Sequence, residues 1–168
     1  VYYYEKGTMT GTHCASVDSP MFTGGEDGGE GPREEILLTP ELNLDNTYQL
    51  SFDWMAASKA AIDEGKYDFQ VRIVTDGNVE GAETIWSFNN ATQLKENGNV
   101  PYPWTAWTIY KTMIDLSKWQ GKNIKVAFVY KMLKTTANVL DIDNVVVKQF
   151  TPATGPNGVL SKKQYNFG

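Results

Sequence analysis

Carboxylates are the side chains of this chain with the clearest potential for chemistry. Asp141 and Asp143 stand two positions apart in an apolar segment that is typical of a β-strand. In a strand both side chains point to one face, with Cα atoms about 6.6 Å apart. Glycoside hydrolysis uses two carboxyl groups at a comparable separation. The same spacing arises by chance in many β proteins, so a small glycoside hydrolase is the less favoured interpretation.

An aromatic group spans the end of the irregular segment at 93–103 and the residues just after it. Tyr102, Trp104 and Trp107 lie within the sequence YPWTAW, just before a predicted strand. Aromatic rings held on a proline-punctuated loop can stack on the faces of sugars, and binding residues often lie on loops. The alternative is that these rings pack over the open end of a sheet. Packing is what we expect for the other tryptophans, which are Trp54, Trp86 and Trp119.

Cysteine and histidine each occur once, which excludes several kinds of site. A single cysteine cannot form an internal disulfide, and the pair cannot build a Cys/His zinc site. His13 and Cys14 are adjacent, so in a strand they point to opposite faces and do not form a catalytic pair. The chain also contains no Gly-x-Ser-x-Gly motif. We therefore expect neither an enzyme nor an organic cofactor.

Length and charge narrow the class of protein further. The chain has 168 residues, 41% of them hydrophobic, and its formal net charge is −5. That composition predicts a folded domain, and the negative charge argues against nucleic acid as a partner. The longest apolar run, Val126–Tyr130, is far short of the roughly 20 residues that span a bilayer. Because the chain begins at Val1 without a leader, we expect a processed part of a larger protein.

Alternation of apolar and polar residues is the main structural signal. Tyr48–Trp54, Tyr67–Ile73 and Ile124–Tyr130 each alternate over their full length, which predicts strands with one buried face. The other predicted strands are Val1–Glu5, Thr12–Val17, Glu35–Thr39, Thr84–Phe88, Thr108–Leu116 and Val139–Phe150. About nine strands without a long helical period predict an all-β antiparallel sandwich or jelly roll. Only Met55–Glu64 resembles a helix, and a loop there is equally compatible. We expect residues 1–150 to form the domain and residues 151–168 a tail or linker.

Four stretches, in order over roughly residues 12–148, match the motifs of one family. They are Cys14–Val17, Ile36–Trp54, Met113–Tyr130 and Leu140–Val145, the last with Asn144 where a second Asp is common. In these motifs the chain resembles the cleaved adhesin domain family. That family comprises the adhesin and haemagglutinin modules of gingipains and is close to the choice-of-anchor J and MAM-like group.

This resemblance implies a jelly-roll β-sandwich with galactose-binding-like topology, in an extracellular or cell-surface protein of bacteria. It also implies structural calcium, for which Asp143 and Asn144 are the candidate ligands, because calcium prefers oxygen ligands. Hydrogen bonds to neighbouring loop amides would satisfy Asp143 equally well. No catalytic residue is implied.

The sequence thus favours a non-catalytic adhesion module that recognises a carbohydrate or a partner protein through Tyr102, Trp104 and Trp107. Two alternatives stay open. One is a structural spacer in a larger surface protein, and the other is the hydrolase that would use Asp141 and Asp143.

Overall fold

A computed structural model describes residues 14–18, 33–56, 67–87, 109–132 and 139–151, and the structural statements concern these ranges. Within them the chain forms β-strands and one short 3₁₀ turn, Ser117–Trp119. The strands are β1 (Ala15–Asp18), β2 (Arg33–Leu38), β3 (Leu42–Asn43), β4 (Tyr48–Ala56), β5 (Tyr67–Val74), β6 (Glu83–Ser87), β7 (Tyr110–Asp115), β8 (Asn123–Met132) and β9 (Val139–Gln149). No helix in the described ranges is long and apolar enough to cross a membrane.

The strands form two antiparallel sheets. The first sheet has the order β1-β9-β4-β7, and the second has the order β2-β8-β5-β6, with β3 added on β8. The chain crosses between the sheets after β1, β3, β4, β6, β7 and β8. This order is that of a jelly-roll sandwich, so the fold predicted from the sequence is confirmed.

The core lies between the sheets and is built by the alternation seen in the sequence. Phe52 and Trp54 of the first sheet face Phe69 and Phe128 of the second, and all four side chains are buried. The rings of Phe52 and Phe128 meet edge to face, with centroids 5.2 Å apart. Aromatic pairs of this kind contribute about 0.5–1.5 kcal/mol beyond the area that they bury. These buried rings hold the two sheets together and so help to fix the side chains on their outer faces.

The three tryptophans that we expected to pack are all buried. Trp54 and Trp86 lie in the core with ring centroids 6.0 Å apart, and Trp119 is buried at the 3₁₀ turn. The indole N–H of Trp54 donates to the Thr112 hydroxyl oxygen at 3.0 Å. The polar edge of the ring is thus satisfied inside the sandwich.

Eight of the nine predicted strands match observed ones, and Val1–Glu5 lies outside the described residues. The short strand β3 was not predicted, because two residues are too few for a periodic signal. The start of the helix-like stretch was wrong, since Met55 belongs to β4 and pairs with Asp141. The predicted division at residue 150 stays a prediction, because residues 152–168 lie outside the described ranges.

Candidate functional site

The outer face of the first sheet carries three rows of neighbouring side chains. Strand register places Met113 beside Ser51 and Ser51 beside Val146 in the first row. The second row is Lys111, Asp53 and Asp143, and the third is Met55, Asp141 and Ser16. Adjacent strands are about 4.8 Å apart, so each row spans about 10 Å. The first two rows, together with Asn144, are called the open face.

A β-bulge shapes the middle of this surface. Ser51 pairs with Val146 and Asp53 pairs with Asp143, so β9 has one residue more than β4 between these two pairs. Asn144 lies in the bulge with a φ of 50°, a left-handed conformation that asparagine tolerates better than most residues. Bulges redirect side chains, and here the bulge brings an amide between two carboxylates.

Direct contacts join the polar groups of the open face. The side-chain amide of Asn144 donates from Nδ2 to Oδ2 of Asp53 at 2.7 Å, and its backbone N–H donates to Oδ1 of Asp143 at 2.7 Å. Lys111 Nζ lies 3.2 Å from Oδ1 of Asp53. The Lys111 side chain is 55% exposed, so this ion pair contributes little to stability. The result is a group of carboxylate, amide and ammonium groups held at one place, in which Asp53 is buried and Lys111, Asp143 and Asn144 are at least partly exposed.

Burial changes sharply along this face. In the first row Met113 and Val146 are 45% and 47% exposed, although both are apolar. In the third row Met55 and Asp141 are buried. The open face therefore lies at the edge of a covered region, with apolar side chains exposed on one side and polar groups beside them.

Cys14 lies one residue before β1, near the covered part of this face. It is buried and not in a disulfide. Burial raises the pKa of the thiol, and the charges of Asp141 and Asp143 raise it further. A thiol of this kind stays protonated at neutral pH and is a poor nucleophile. His13 lies outside the described residues.

A comparison with solved structures adds a neighbour of the same general architecture. The chain is similar to a carbohydrate-binding module. This structure, described as "CBM4 structure and function", matches with a TM-score of 0.42 and 11% identity, over 70% of this chain and 73% of that chain. At this level of similarity, the assignment of the fold rests on the strand order of the chain itself.

The two sequence-based comparisons found no relative. No family model matches the chain, and none of the curated proteins matches it. Membership of the cleaved adhesin family therefore stays a prediction, carried by the four motifs in the sequence.

The predicted calcium ligands, Asp143 and Asn144, lie together at the bulge. With Asp53 they offer two carboxylates and one amide oxygen, whereas calcium usually takes six to eight oxygen ligands. Among the described residues, no group of three or more His, Cys, Asp or Glu side chains is arranged to hold a metal ion. Asp143 already accepts a hydrogen bond from a backbone N–H, and Asp53 forms an ion pair with Lys111. Protein groups therefore already satisfy part of each carboxylate. Calcium binding at this position stays a prediction.

The two carboxylates of the hydrolase alternative lie on one face, as the sequence predicted. Asp141, however, is only 2% exposed. A catalytic carboxyl group must reach the glycosidic oxygen or the anomeric carbon of the substrate. The burial of Asp141 therefore disfavours a reaction that uses this pair.

The three aromatic residues predicted to bind ligand, Tyr102, Trp104 and Trp107, lie outside the described residues. Trp107 precedes Tyr110, the first residue of β7, by three positions. Lys111 and Met113 of the open face belong to that strand. Along the chain, the aromatic group is thus close to the residues that the structure brings together.

Sequence reasoning missed Asp53, Lys111, Met113 and Val146 as members of the site. They come from three strands, and only the register of the sheet reveals that they are neighbours. One signal was present in the sequence. The inward positions of β9 change from even to odd numbers between Ile142 and Val147, which marks an inserted residue.

Proposed function

We propose that this chain is a non-catalytic carbohydrate-binding module whose ligand lies on the open face. The observation that carries the proposal is the arrangement of the first two rows. Exposed Met113 and Val146 flank one row, and Lys111, Asp53 and Asp143 form the next. Two rows on one strand face are separated by about 6.6 Å, so one sugar ring could contact both.

The chemistry of these side chains suits a sugar. A pyranose has an apolar face of C–H groups and an edge of hydroxyl groups, so it needs an apolar contact beside polar ones. Met113 and Val146 supply apolar contacts, and the partly exposed carboxylate of Asp143 accepts hydrogen bonds from hydroxyl groups. Lys111 Nζ donates in return, because an ammonium group has three donors. Small ligand sites generally combine an apolar lining with a few placed polar groups.

The polar groups are also held in place before a ligand arrives. Asn144 is tied to Asp53 by its side chain and to Asp143 by its backbone N–H. Both strands that carry these residues are hydrogen-bonded on two sides within the sheet. Binding then costs little ordering of side chains, which favours affinity.

The finer parts of the proposal come from the sequence. Tyr102, Trp104 and Trp107 precede β7 along the chain and would add aromatic surfaces to the ligand. The family motifs support a role in adhesion at the bacterial cell surface, within a larger protein. In this proposal, Trp104→Ala weakens ligand binding without changing the melting temperature.

A partner protein is the second candidate ligand. The exposed apolar side chains of Met113, Val145 and Val146 favour it, because clustered apolar side chains on a surface often mark protein contacts. A glycan array detects a sugar ligand and does not detect a protein ligand, so its result separates the two candidates.

A glycan array tests the proposal, with a matched pair of variants. Met113 and Leu38 are both apolar, and they are 45% and 40% exposed on the outer faces of different sheets. Met113→Asp places a charge on the open face, whereas Leu38→Asp places the same charge on the opposite side of the molecule. We expect the wild type and Leu38→Asp to bind the same glycans, and Met113→Asp to lose at least about 90% of the signal, equivalent to about 1.4 kcal/mol.

Three outcomes would contradict the carbohydrate proposal. The first is an array without any glycan signal, which favours the structural spacer or a protein ligand. The second is equal loss of signal in both variants, which places the ligand elsewhere. The third is turnover of chromogenic glycosides that Asp143→Asn abolishes, since this would make the protein a hydrolase.

A further inference from the structure

A cleft opens at the edge of the sandwich, on the side away from β7. It lies between β1, the edge strand of the first sheet, and β2, the edge strand of the second. Its floor consists of buried core side chains from both sheets, namely Phe69, Phe128, Tyr130, Leu140 and Ile142. The cleft is thus an opening into the apolar interior, and it is separate from the open face.

The mouth of the cleft is formed by side chains that point inward and are still exposed. Leu37 pairs with Phe128 and Ala15 pairs with Ile142, so both lie on the inner faces of their sheets. Leu37 is nevertheless 46% exposed, and Ala15 is exposed too. Inner-face residues of a closed sandwich are buried. These two edge strands therefore leave a gap through which a molecule could reach the floor.

The volume of the cleft decides the size of ligand. It measures about 280 Å³. A cavity of about 150 Å³ lined by Leu, Ile and Phe is known to bind benzene. The cleft has nearly twice that volume, which suits a molecule with two fused aromatic rings or an aliphatic group of similar size.

The polar groups of the cleft decide its charge preference. Glu35 pairs with Tyr130 across β2 and β8, so its carboxylate and the phenol lie on one side of the lining. None of the described residues that line the cleft carries a positive charge. A neutral ligand with a hydroxyl group could donate to Glu35, whereas a carboxylated ligand would be repelled.

From these features we infer that the cleft between β1 and β2 is a second binding site, for an uncharged apolar molecule of about two fused rings. The site is independent of the carbohydrate proposal. Its occupant inserts the apolar rings between Leu37 and the aromatic floor and directs a hydroxyl group toward Glu35.

Isothermal titration calorimetry with 2-naphthol tests this inference on the whole chain. Leu37→Trp fills the mouth of the cleft, and Leu38→Trp is the matched control, because Leu38 is its neighbour, similarly exposed, on the outer face. We expect saturable binding of 2-naphthol by the wild type and by Leu38→Trp, and an affinity at least about tenfold weaker for Leu37→Trp. Glycan binding should be equal in all three proteins.

A second measurement does not depend on the folding of Leu37→Trp. 2-Naphthoate has the same rings as 2-naphthol and a negative charge. It should bind the wild type at least about tenfold more weakly than 2-naphthol, and Glu35→Gln should narrow that difference. The inference is wrong if the wild type shows no saturable binding of 2-naphthol, or if both tryptophan variants lose it equally. It is also wrong if Glu35→Gln leaves the preference for the neutral ligand unchanged.

Discussion

Both sheets of the sandwich carry charged side chains on their outer faces, and the two faces differ in how these charges are covered. On the second sheet, Asp68, Gln70 and Arg72 alternate along β5 and form a continuous chain of hydrogen bonds. Arg72 donates from Nε and Nη2 to Oε1 of Gln70 at 2.9 and 2.6 Å. Gln70 in turn donates from Nε2 to Oδ2 of Asp68 at 2.7 Å. This outer face, with Asp68, Gln70, Arg72 and Glu34, is called the closed face.

A loop covers part of the closed face, which leaves Arg72 only 5% exposed. Val79 and Ala82, between β5 and β6, pack against Val74, Ala127 and Val129 on the outside of the second sheet. Arg72 also donates from Nη1 to the carbonyl oxygen of Val79 at 3.1 Å, which fastens the loop to the sheet. Here the polar groups stabilise the fold, because the buried charge of Arg72 needs the hydrogen bonds that Gln70 and the Val79 carbonyl accept.

On the open face Asp53 is also buried, but the cation beside it is not. Lys111 is more than half exposed, and Met113 and Val146 lie bare beside the polar row. A polar group with solvent access contributes little to stability and keeps hydrogen-bonding capacity for a ligand. The closed-face network thus stabilises the fold, whereas the Lys111 ammonium of the open face keeps donors exposed to solvent.

Replacement of the two cations gives the largest expected contrast. Arg72→Ala should lower the free energy of unfolding by about 2–4 kcal/mol, because it removes several buried hydrogen bonds and leaves Gln70 and the Val79 carbonyl without their donor. Lys111→Ala should cost less than about 1 kcal/mol. Urea unfolding monitored by tryptophan fluorescence measures both changes. Equal losses would remove the distinction between the two faces.

Calcium would sharpen the contrast, because its predicted ligands Asp143 and Asn144 lie only on the open face. If calcium binds there, EDTA should lower the melting temperature in calorimetric scans. The stabilisation is about 2.7 kcal/mol at a free calcium concentration one hundred times the dissociation constant. Asp143→Asn should abolish the difference, and Asp68→Asn on the closed face should leave it intact. Identical scans with and without EDTA would remove calcium from the account.

Substitution of Asn144 in the bulge should change the stability by a smaller amount, and the order of two variants is informative. Asn144→Val should destabilise the protein by about 1–3 kcal/mol, because a β-branched residue is strained at positive φ. Asn144→Gly should stay within about 1 kcal/mol of the wild type, since glycine adopts this conformation freely while the bond to Asp53 is lost. Both variants should weaken glycan binding. Thermal melts that rank the two variants in the opposite order would contradict the role of the bulge.

The smallest expected effect is on the pH dependence of the stability, through Glu34 of the closed face. A hydrogen bond from Lys131 lowers the pKa of Glu34 below its ordinary value of 4.5, and the charge of Arg72 acts in the same direction. The ionised form is thus favoured by folding. Its contribution is present above pH 4.5 and is lost as the pH falls through the lower folded pKa.

Glu34→Gln should therefore be less stable than the wild type at neutral pH by less than about 1 kcal/mol, because Glu34 is partly exposed. Denaturant titrations across the acidic range should show this gap closing. A gap that stays constant from neutral to acidic pH would contradict the assignment to the charge of Glu34.

Much of the fold, and less of the site, could be predicted from the sequence. Strict alternation over Tyr48–Trp54 specifies both a strand and its buried face, so the core followed directly. The pair of Asp53 with Lys111 joins β4 to β7, and a single sequence does not reveal the register between distant strands. The sequence indicates Asn144 as an oxygen ligand, whereas its place in the bulge depends on that same register.

The central claim is that the ligand lies on the open face, and a two-dimensional ¹⁵N–¹H NMR titration with the glycan that gives the strongest array signal tests it most directly. We predict that the largest shift changes occur at the backbone amides of Asp53, Lys111, Met113, Asn144 and Val146. Amides of the closed face, such as those of Gln70 and Arg72, should not move. Largest changes on the closed face, or at the cleft around Leu37, would contradict the account.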